Sequence, residues 1–317
     1  MANVIFCDDE QLVSRAARRV LMAAHHTCVA VPDAESALTA LERLAPDVDV
    51  VVSDLWMPGR DGVRLLADVE RRAPSVKRIL ISGAADLASV TDAVNLAGVF
   101  AVLHKPFDAS VLIAKIEEAA AARRLERERE QMTLEGLIAA LDLRDPETQS
   151  HSRRVGRFAR RLGLELGLRG QELRDCELGA LLHDVGKIGV RDAVLLKPGP
   201  LDASEWVEMR RHPSLGHQVL RAIPFLGQAA EIVLAHHERW DGSGYPAGLA
   251  HDAIPIGARI FAVVDAFDAI TSDRPYRRAR DYEAAKTEIV SCAGTQFDPV
   301  VVGHFLRVDP REWETLR

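Results

Sequence analysis

The densest concentration of reactive side chains lies at residues 180–189, ALLHDVGKIG, where an apolar run delivers His183 and Asp184 side by side, followed by Gly186 and Lys187. Imidazole and carboxylate are both donors for a divalent cation. On a helix, adjacent side chains splay about 100° apart, so the pair could grip two ions, and a carboxylate can bridge them with one oxygen each. Taken alone, such a pair is more simply a buried histidine hydrogen-bonded to its neighbour. The donors downstream weigh against that reading: His212, the adjacent His236 and His237, and Asp265. Upstream, His151 lies four residues after Glu147, and an i,i+4 pair shares one helix face. Nitrogen and oxygen donors without thiolate suit Fe, Mn, Zn or Ni better than a soft ion, with Fe or Mn favoured. These eight residues exceed the needs of one ion, which argues for two and permits three.

A second group is spread through the first part of the chain. Residues 3–7 form an apolar run ending in Asp8 and Asp9; residues 49–53 (DVVVS) end at Asp54; residues 78–82 (RILIS) end at Ser82; residues 100–103 run into Lys105 and Pro106. Helical patterns separate them, the first with Leu12, Ala16, Val20 and Leu21 on one face. Continuous apolar strands alternating with helices predict a parallel sheet covered on both faces. Ligands of such sheets bind beyond the carboxyl ends of the strands, so Asp8, Asp9, Asp54, Ser82 and Lys105 are expected to converge. Clustered carboxylates suit Mg²⁺ together with phosphate oxygens. Lys105 could neutralise phosphate charge and the Ser82 hydroxyl could donate to a phosphoryl oxygen.

The frame that must position these groups is long enough for two domains at 317 residues. A net charge of −7 excludes broad binding to DNA or an anionic membrane, which needs a basic field. The four cysteines, Cys7, Cys28, Cys176 and Cys292, show no CxxC spacing and read as core residues of a reducing cytoplasm. The N-terminal apolar run is too short for a signal peptide, and no stretch predicts membrane insertion. Past residue 133 the pattern is almost wholly helical, with Val155, Phe158, Ala159, Leu162 and Leu166 at helical spacing and further helices predicted over 176–184, 203–211 and 230–237. The donors therefore come from different helices. Between the halves, Asp108 caps a long helical stretch containing ARRLEREREQM. That stretch reads either as a solvated face or, through Leu125, Met132, Leu134, Leu137, Ile138 and Leu141, as a short homodimer seam.

Residues 1–122 resemble the receiver domain of bacterial two-component response regulators, on DDE, SDLWMPGRDG, ISG and KPF. The resemblance implies that Asp54 accepts phosphate from a sensor histidine kinase, that Asp8 and Asp9 hold Mg²⁺ with it, and that Ser82 and Lys105 read the phosphoryl group. The chain departs from the family at Val102, where an inward-swinging aromatic is usual, so no aromatic rotor operates there. Residues 123–144 read as a helical linker. Residues 145–317 resemble the HD-GYP subgroup of the HD phosphohydrolases, on RDPETQSHSRRV, LLHDVGKIGV, LLKPGPLDASEWVEMRRHP, HHERWDGSGYP, VVDAFDAITSDRPYR and GTQFDP. The fold expected is thus a doubly wound α/β receiver domain joined by a long helix to an all-α HD-type domain.

The second resemblance implies a phosphodiesterase that opens cyclic di-GMP to pGpG, and on to GMP, by metal-activated hydroxide attack. It carries the metal role onto Glu147, His151, His183, Asp184, His212, His236, His237 and Asp265, and a carboxylate at Glu147 suits three ions. Gly244, Tyr245 and Pro246 are the GYP triplet. Lys187, one turn beyond His183, is placed to stabilise phosphorane-like charge or assist the leaving 3′ oxygen. Arg274 and Arg277 can make bidentate contacts to substrate phosphates. Asp268, three residues after Asp265, could orient a ligand or sit on a plain helix surface. Two alternatives stand beside this reading: hydrolysis of another cyclic dinucleotide such as cyclic GMP-AMP, and a non-catalytic adaptor that binds a diguanylate cyclase (GGDEF) protein through the GYP surface.

Overall fold

Five strands, β1 Asn3–Cys7, β2 Thr27–Val31, β3 Val50–Asp54, β4 Lys77–Ser82 and β5 Ala101–His104, pair in parallel in the order β2-β1-β3-β4-β5. The computed structural model describes residues 1–44, 47–59, 61–83, 96–144, 148–273 and 278–317. Alternate strand residues face opposite ways. Ile5, Val51 and Leu80 pack on helices Ala34–Leu44 and Gly62–Arg72. Val4, Phe6, Val52, Ile79 and Ile81 pack on helix Gln11–Ala23 and on Leu112, Ile116 and Ala119. β3 is buried at every position, which is why its sequence is a run of valines rather than an alternation.

Two local readings need correction. The edge strand β2 is absent from the sequence-based set although its CVAV is as long an apolar run as the VIFC of β1, and along it only Cys28 is buried. On helix Gln11–Ala23 the buried stripe is Ser14, Ala17 and Leu21, while Leu12 is 81% exposed and Ala16 is exposed. The stripe is rotated because Ser14 Oγ donates to the Asp8 carbonyl at 3.0 Å, an anchor that hydrophobicity alone does not reveal.

The long helix Ala109–Arg144 changes partners along its length, and the two compact units meet in sequence at Gln131/Met132. In the first unit Glu126 pairs with Lys77 and Arg127 lies 3.2 Å from Asp49. In the second, Leu134 and Ile138 join Leu178, Leu182, Val185 and Leu220, with Leu137 packed against them, and Leu141 is also buried. Four residues of the expected homodimer seam are thus consumed by the chain's own core. Of the six, Leu125 and Met132 remain exposed, at 48% and 71%.

The remainder of the second unit is helical. Val155, Phe158, Ala159 and Leu162 of helix Thr148–Glu165 pack on Cys176 and Ala180 of helix Gly170–Leu181 and on Ile260, Phe261 and Val264 of helix Ile256–Thr271. Phe158, Phe267, Phe305 and Trp313 complete that core as an aromatic group, edge-on between Phe158 and its neighbours and stacked between Phe305 and Trp313. All four cysteines are free thiols. No described helix is long and apolar enough to cross a membrane.

Candidate metal centre and phosphoryl site

Helix Gly170–Leu181 stops before the His-Asp pair, and a 3-10 helix, Val185–Gly189, begins after it. His183 and Asp184 therefore occupy a turn, not the helix the sequence pattern suggested. The turn is fixed by Leu182 and Val185, both fully buried, which leave His183 and Asp184 buried between them, and by the Lys187 amide donating to the Asp184 carbonyl. His212 opens helix His212–Arg221, and His236 and His237 follow directly on helix Gly227–Ala235. Asp265 sits within helix Ile256–Thr271 and His151 in the first turn of helix Thr148–Glu165. Most of the donors thus sit at helix ends, so small changes in helix packing would move them independently.

The histidines share one device. A carbonyl can only accept, so the 2.9 Å contact from His183 to the Ala180 carbonyl, the 2.8 Å contact from His212 to Met209 and the 2.6 Å contact from His236 to Val233 all make Nδ1 the protonated nitrogen. His151 makes the equivalent bond, Nδ1 to Asp268 Oδ2 at 2.7 Å. With Nδ1 engaged from behind, each ring turns its Nε2 toward the other donors. His212 Nε2 lies 3.1 Å from His236 Nε2 and 3.5 Å from Asp184 Oδ1. His183 Nε2 lies 3.1 Å from Asp184 Oδ2, and His151 Nε2 lies 3.2 Å from Asp265 Oδ1. His212 and His236 both carry their proton on Nδ1, so their Nε2 lone pairs face each other and repel unless a cation lies between them, and the donor set fits divalent ions. His212, His236 and His237 by themselves form a cluster able to hold one, with ligand atoms within 4.8 Å of one another.

The electrostatics agree. Burial pushes His212 and His236 below the ordinary imidazole value and His237 down to about 4, with neighbouring imidazoles adding to the fall, so all three are neutral and ready to ligate near pH 7. Burial drives the Asp184 carboxyl up, but His183, Lys187 and His212 outweigh it and hold the group well below its usual range. Burial also opposes the charge on His151, yet Asp265 and Asp268 overcome it and raise that imidazole to about 9. An ion bound at His151 must displace that proton. Lys187 Nζ lies 2.9 Å from Asp184 Oδ2, which places its charge against the donor cluster.

Two supporting carboxylates complete the site. Asp268, left open in the sequence, is 2% exposed and binds Arg154 through both oxygens as well as His151. Burial raises its carboxyl, but His151 and Arg154 bring it down to about 2. Asp268→Asn should lower metal affinity and turnover by roughly 10- to 100-fold, because the amide can no longer fix the charged ring. Metal titration beside steady-state kinetics checks this; unchanged affinity would mean that His151 needs no such support. Glu238, which carries no role in the motif reading, is also buried and accepts from the Ala247, Gly248 and Leu249 amides at 2.8, 3.1 and 3.1 Å. It secures the loop of Gly244, Tyr245 and Pro246, where Tyr245 stacks on His237 with ring centres 4.7 Å apart. A Cβ on Gly244 would fall 2.4 Å from the Arg239 nitrogen, so only glycine permits that approach.

At the carboxyl edge of the sheet, Lys105 Nζ lies 2.6 Å from Asp54 Oδ1 and 3.8 Å from Asp8 Oδ2. Asp8 Oδ2 is buried without a hydrogen-bond partner, and burial raises its carboxyl, which fits a site for a cation such as Mg²⁺. Asp9 is exposed beside it. Ser82 Oγ lies 3.1 Å from His104 Nδ1, a contact no spacing argument anticipated. Val102, at the position of the missing aromatic, packs on the apolar cluster beneath the sheet. Glu147, Arg274 and Arg277 lie outside the described residues.

A parallel five-stranded unit with clustered acids at its strand ends, followed by a helical unit with clustered histidines, defines a receiver-type unit joined to a helical unit with a candidate metal site. Comparison with known proteins agrees: a family profile described as "Response regulator receiver domain" matches residues 4–117, and one described as "HD domain" matches residues 135–301. A cyclic di-GMP phosphodiesterase of Thermotoga maritima is 32% identical, covering 97% of this chain and 90% of that protein. The cyclic di-GMP phosphodiesterase response regulator RpfG of Xanthomonas campestris is 36% identical, covering 96% and 87%. A 3'3'-cGAMP-specific phosphodiesterase of Vibrio cholerae is 40% identical over 56% of this chain and 34% of its own length. The chain belongs to the HD-domain response regulators.

Proposed function

We propose that this chain is a cytoplasmic response regulator whose helical unit hydrolyses cyclic di-GMP to pGpG, and onward to GMP, under control of its receiver. The observation that carries the reading is the clustering of His183 and His212 Nε2 on Asp184, of His236 Nε2 on His212 and of His151 Nε2 on Asp265, with each Nδ1 pinned from behind. His151, His183, Asp184, His212, His236, His237 and Asp265 would hold two or three divalent ions, Fe or Mn by donor type, with Glu147 as a further ligand. When bound, such ions supply Lewis-acid charge to phosphoryl oxygens and lower the pKa of water. Lys187 adds a cation beside Asp184 that can stabilise charge on the phosphate or protonate the 3′ leaving oxygen. Tyr245 shields His237 on one face, and Arg274 and Arg277 grip phosphates of the substrate.

In the receiver, Asp54 takes phosphate from a sensor histidine kinase, Asp8 and Asp9 hold Mg²⁺ with it, and Lys105 and Ser82 read the added phosphoryl group. With Val102 packed inward, signalling proceeds without an aromatic rotor at that position.

The decisive assay uses anaerobically purified protein, with metal counted in the sample that is tested for turnover of cyclic di-GMP and 3'3'-cGAMP. Turnover of cyclic di-GMP with two or three ions per chain supports the reading, whereas full metal sites without turnover sink it. Faster turnover of 3'3'-cGAMP would favour the second reading, to which the Vibrio cholerae relative points. An Asp54→Ala variant should lose the response of turnover to a small phosphodonor. Equal rates for both proteins, with and without donor, would remove the receiver from control of catalysis.

A further inference from the structure

Beyond the donor cluster a short ladder of planar groups leads outward. His237 is followed by Tyr245, stacked at 4.7 Å and 26°. The Arg210 guanidinium carbon lies over the Tyr245 ring, 5.2 Å from its centre, and 6.0 Å from the centre of the Trp206 ring. Trp206 is 48% exposed. The carboxylates on the same helix, Ala203–Met209, are committed elsewhere: Glu208 to Arg191 and Glu205 to Lys197. Among the described residues the Arg210 guanidinium makes no hydrogen bond or ion pair, while its backbone N–H donates to the Trp206 carbonyl. Its N–H groups are therefore available while its central carbon lies against two aromatic rings.

The supports beneath are firm. Asp202 and Glu205 form a reciprocal cap at the start of the Trp206 helix. Tyr245 is held by Glu238 through the three amides of residues 247–249 and by the close approach at Gly244. A guanidinium so fixed is a recognition element rather than a mobile counter-charge.

Resting on the cyclic-dinucleotide reading above, we propose that Arg210 reads a guanine of the substrate, donating two N–H groups to the O6 and N7 acceptors, with Trp206 offering a face on which the base stacks. The position favours a base over the scissile phosphate. The phosphate belongs at the donor cluster, and Arg210 stands one aromatic ring beyond it, where the sugar carries the base. The chemistry favours guanine over adenine. Guanine presents an acceptor pair to a bidentate arginine, whereas adenine puts an amino donor opposite one of the N–H groups.

The test is titration calorimetry of the full chain with hydrolysis-resistant phosphorothioate analogues of cyclic di-GMP and cyclic di-AMP, with hydrolysis of cyclic di-GMP assayed on the same preparations. Arg210→Ala and Arg210→Lys should both weaken the guanine analogue by about tenfold to a hundredfold and leave the adenine analogue within about twofold, so that selectivity collapses. Arg210 is exposed, and unchanged melting curves would exclude misfolding. Equal weakening of both analogues, rescued by lysine, would assign a phosphate contact and overturn the proposal; so would variants that bind like the wild type. A wild-type chain that neither binds nor hydrolyses either dinucleotide would defeat the functional reading itself, a failure visible before any variant is made.

Discussion

Asp184→Asn is expected to lower cyclic di-GMP turnover by roughly a thousandfold or more and to cost the helical unit much of its bound metal, while leaving its helical content unchanged. The substitution is nearly isosteric, so what it removes is charge. That charge is shared in two directions. Oδ2 faces His183 Nε2 and Lys187 Nζ, at 3.1 and 2.9 Å, and Oδ1 faces His212 Nε2 at 3.5 Å. A carboxylate whose two oxygens address different partners is arranged to bridge ions, and an amide offers one weaker oxygen and a pair of donors in the wrong place. Asp268→Asn should be milder because Asp268 touches His151 and Arg154 and none of the converging nitrogens. Elemental analysis beside single-turnover kinetics separates the two effects. An Asp184→Asn protein that retained full metal and more than a tenth of wild-type turnover would remove Asp184 from the centre of the site.

The inner strands and the candidate donors were legible because each follows from a local rule. Buried parallel strands are unbroken apolar runs, and their polar terminators, Asp8, Asp54, Ser82 and Lys105, fall at one edge of the sheet. His212, His236, His237 and Asp265 were legible as donors from residue type together with the motifs around them, and the fold brings them together. Features set by tertiary packing were not legible. β2 lies at the edge of the sheet and is half-exposed, a position its apolar CVAV run does not reveal. The turn at His183 and Asp184 depends on the buried neighbours Leu182 and Val185, while the surrounding residues all suit a helix. Glu238 and Arg210 work through loop amides and ring faces that are distant or irregular in sequence. The signals were faint but present: a glutamate directly after two candidate ligands, ahead of a loop whose amides need an acceptor, and an arginine four residues after an exposed tryptophan. Part of the homodimer seam was misread for the opposite reason. Leu134 and Ile138 are apolar at the right spacing, but periodicity cannot say whether the partner is another chain or the chain itself.

Gly186→Ala should be the most damaging substitution of a single small residue in the helical unit. A Cβ at Gly186 would lie 1.9 Å from the His212 carbonyl oxygen and 2.5 Å from the Gly216 nitrogen. Both are backbone atoms, so no rotamer change relieves the clash and the 3-10 helix must separate from helix His212–Arg221. Overpacking of a core costs about 1–3 kcal/mol and occasionally more, and contacts with backbone put this site at or above the upper figure. For a unit of this size that corresponds to a melting temperature lower by roughly 6–12 °C. The displaced element carries His212 on one side and Lys187 on the other, so turnover at a temperature where the variant is fully folded should fall further than stability accounts for. Gly136→Ala supplies the contrast. It lies exposed within the long helix with nothing within 4 Å of a Cβ, and alanine there should stabilise by about 0.5–1 kcal/mol with turnover unchanged. Calorimetric melting and turnover of the two variants decide the matter. If Gly186→Ala matched the wild type in both, the close approach of these two elements would not be what holds His212 against Asp184.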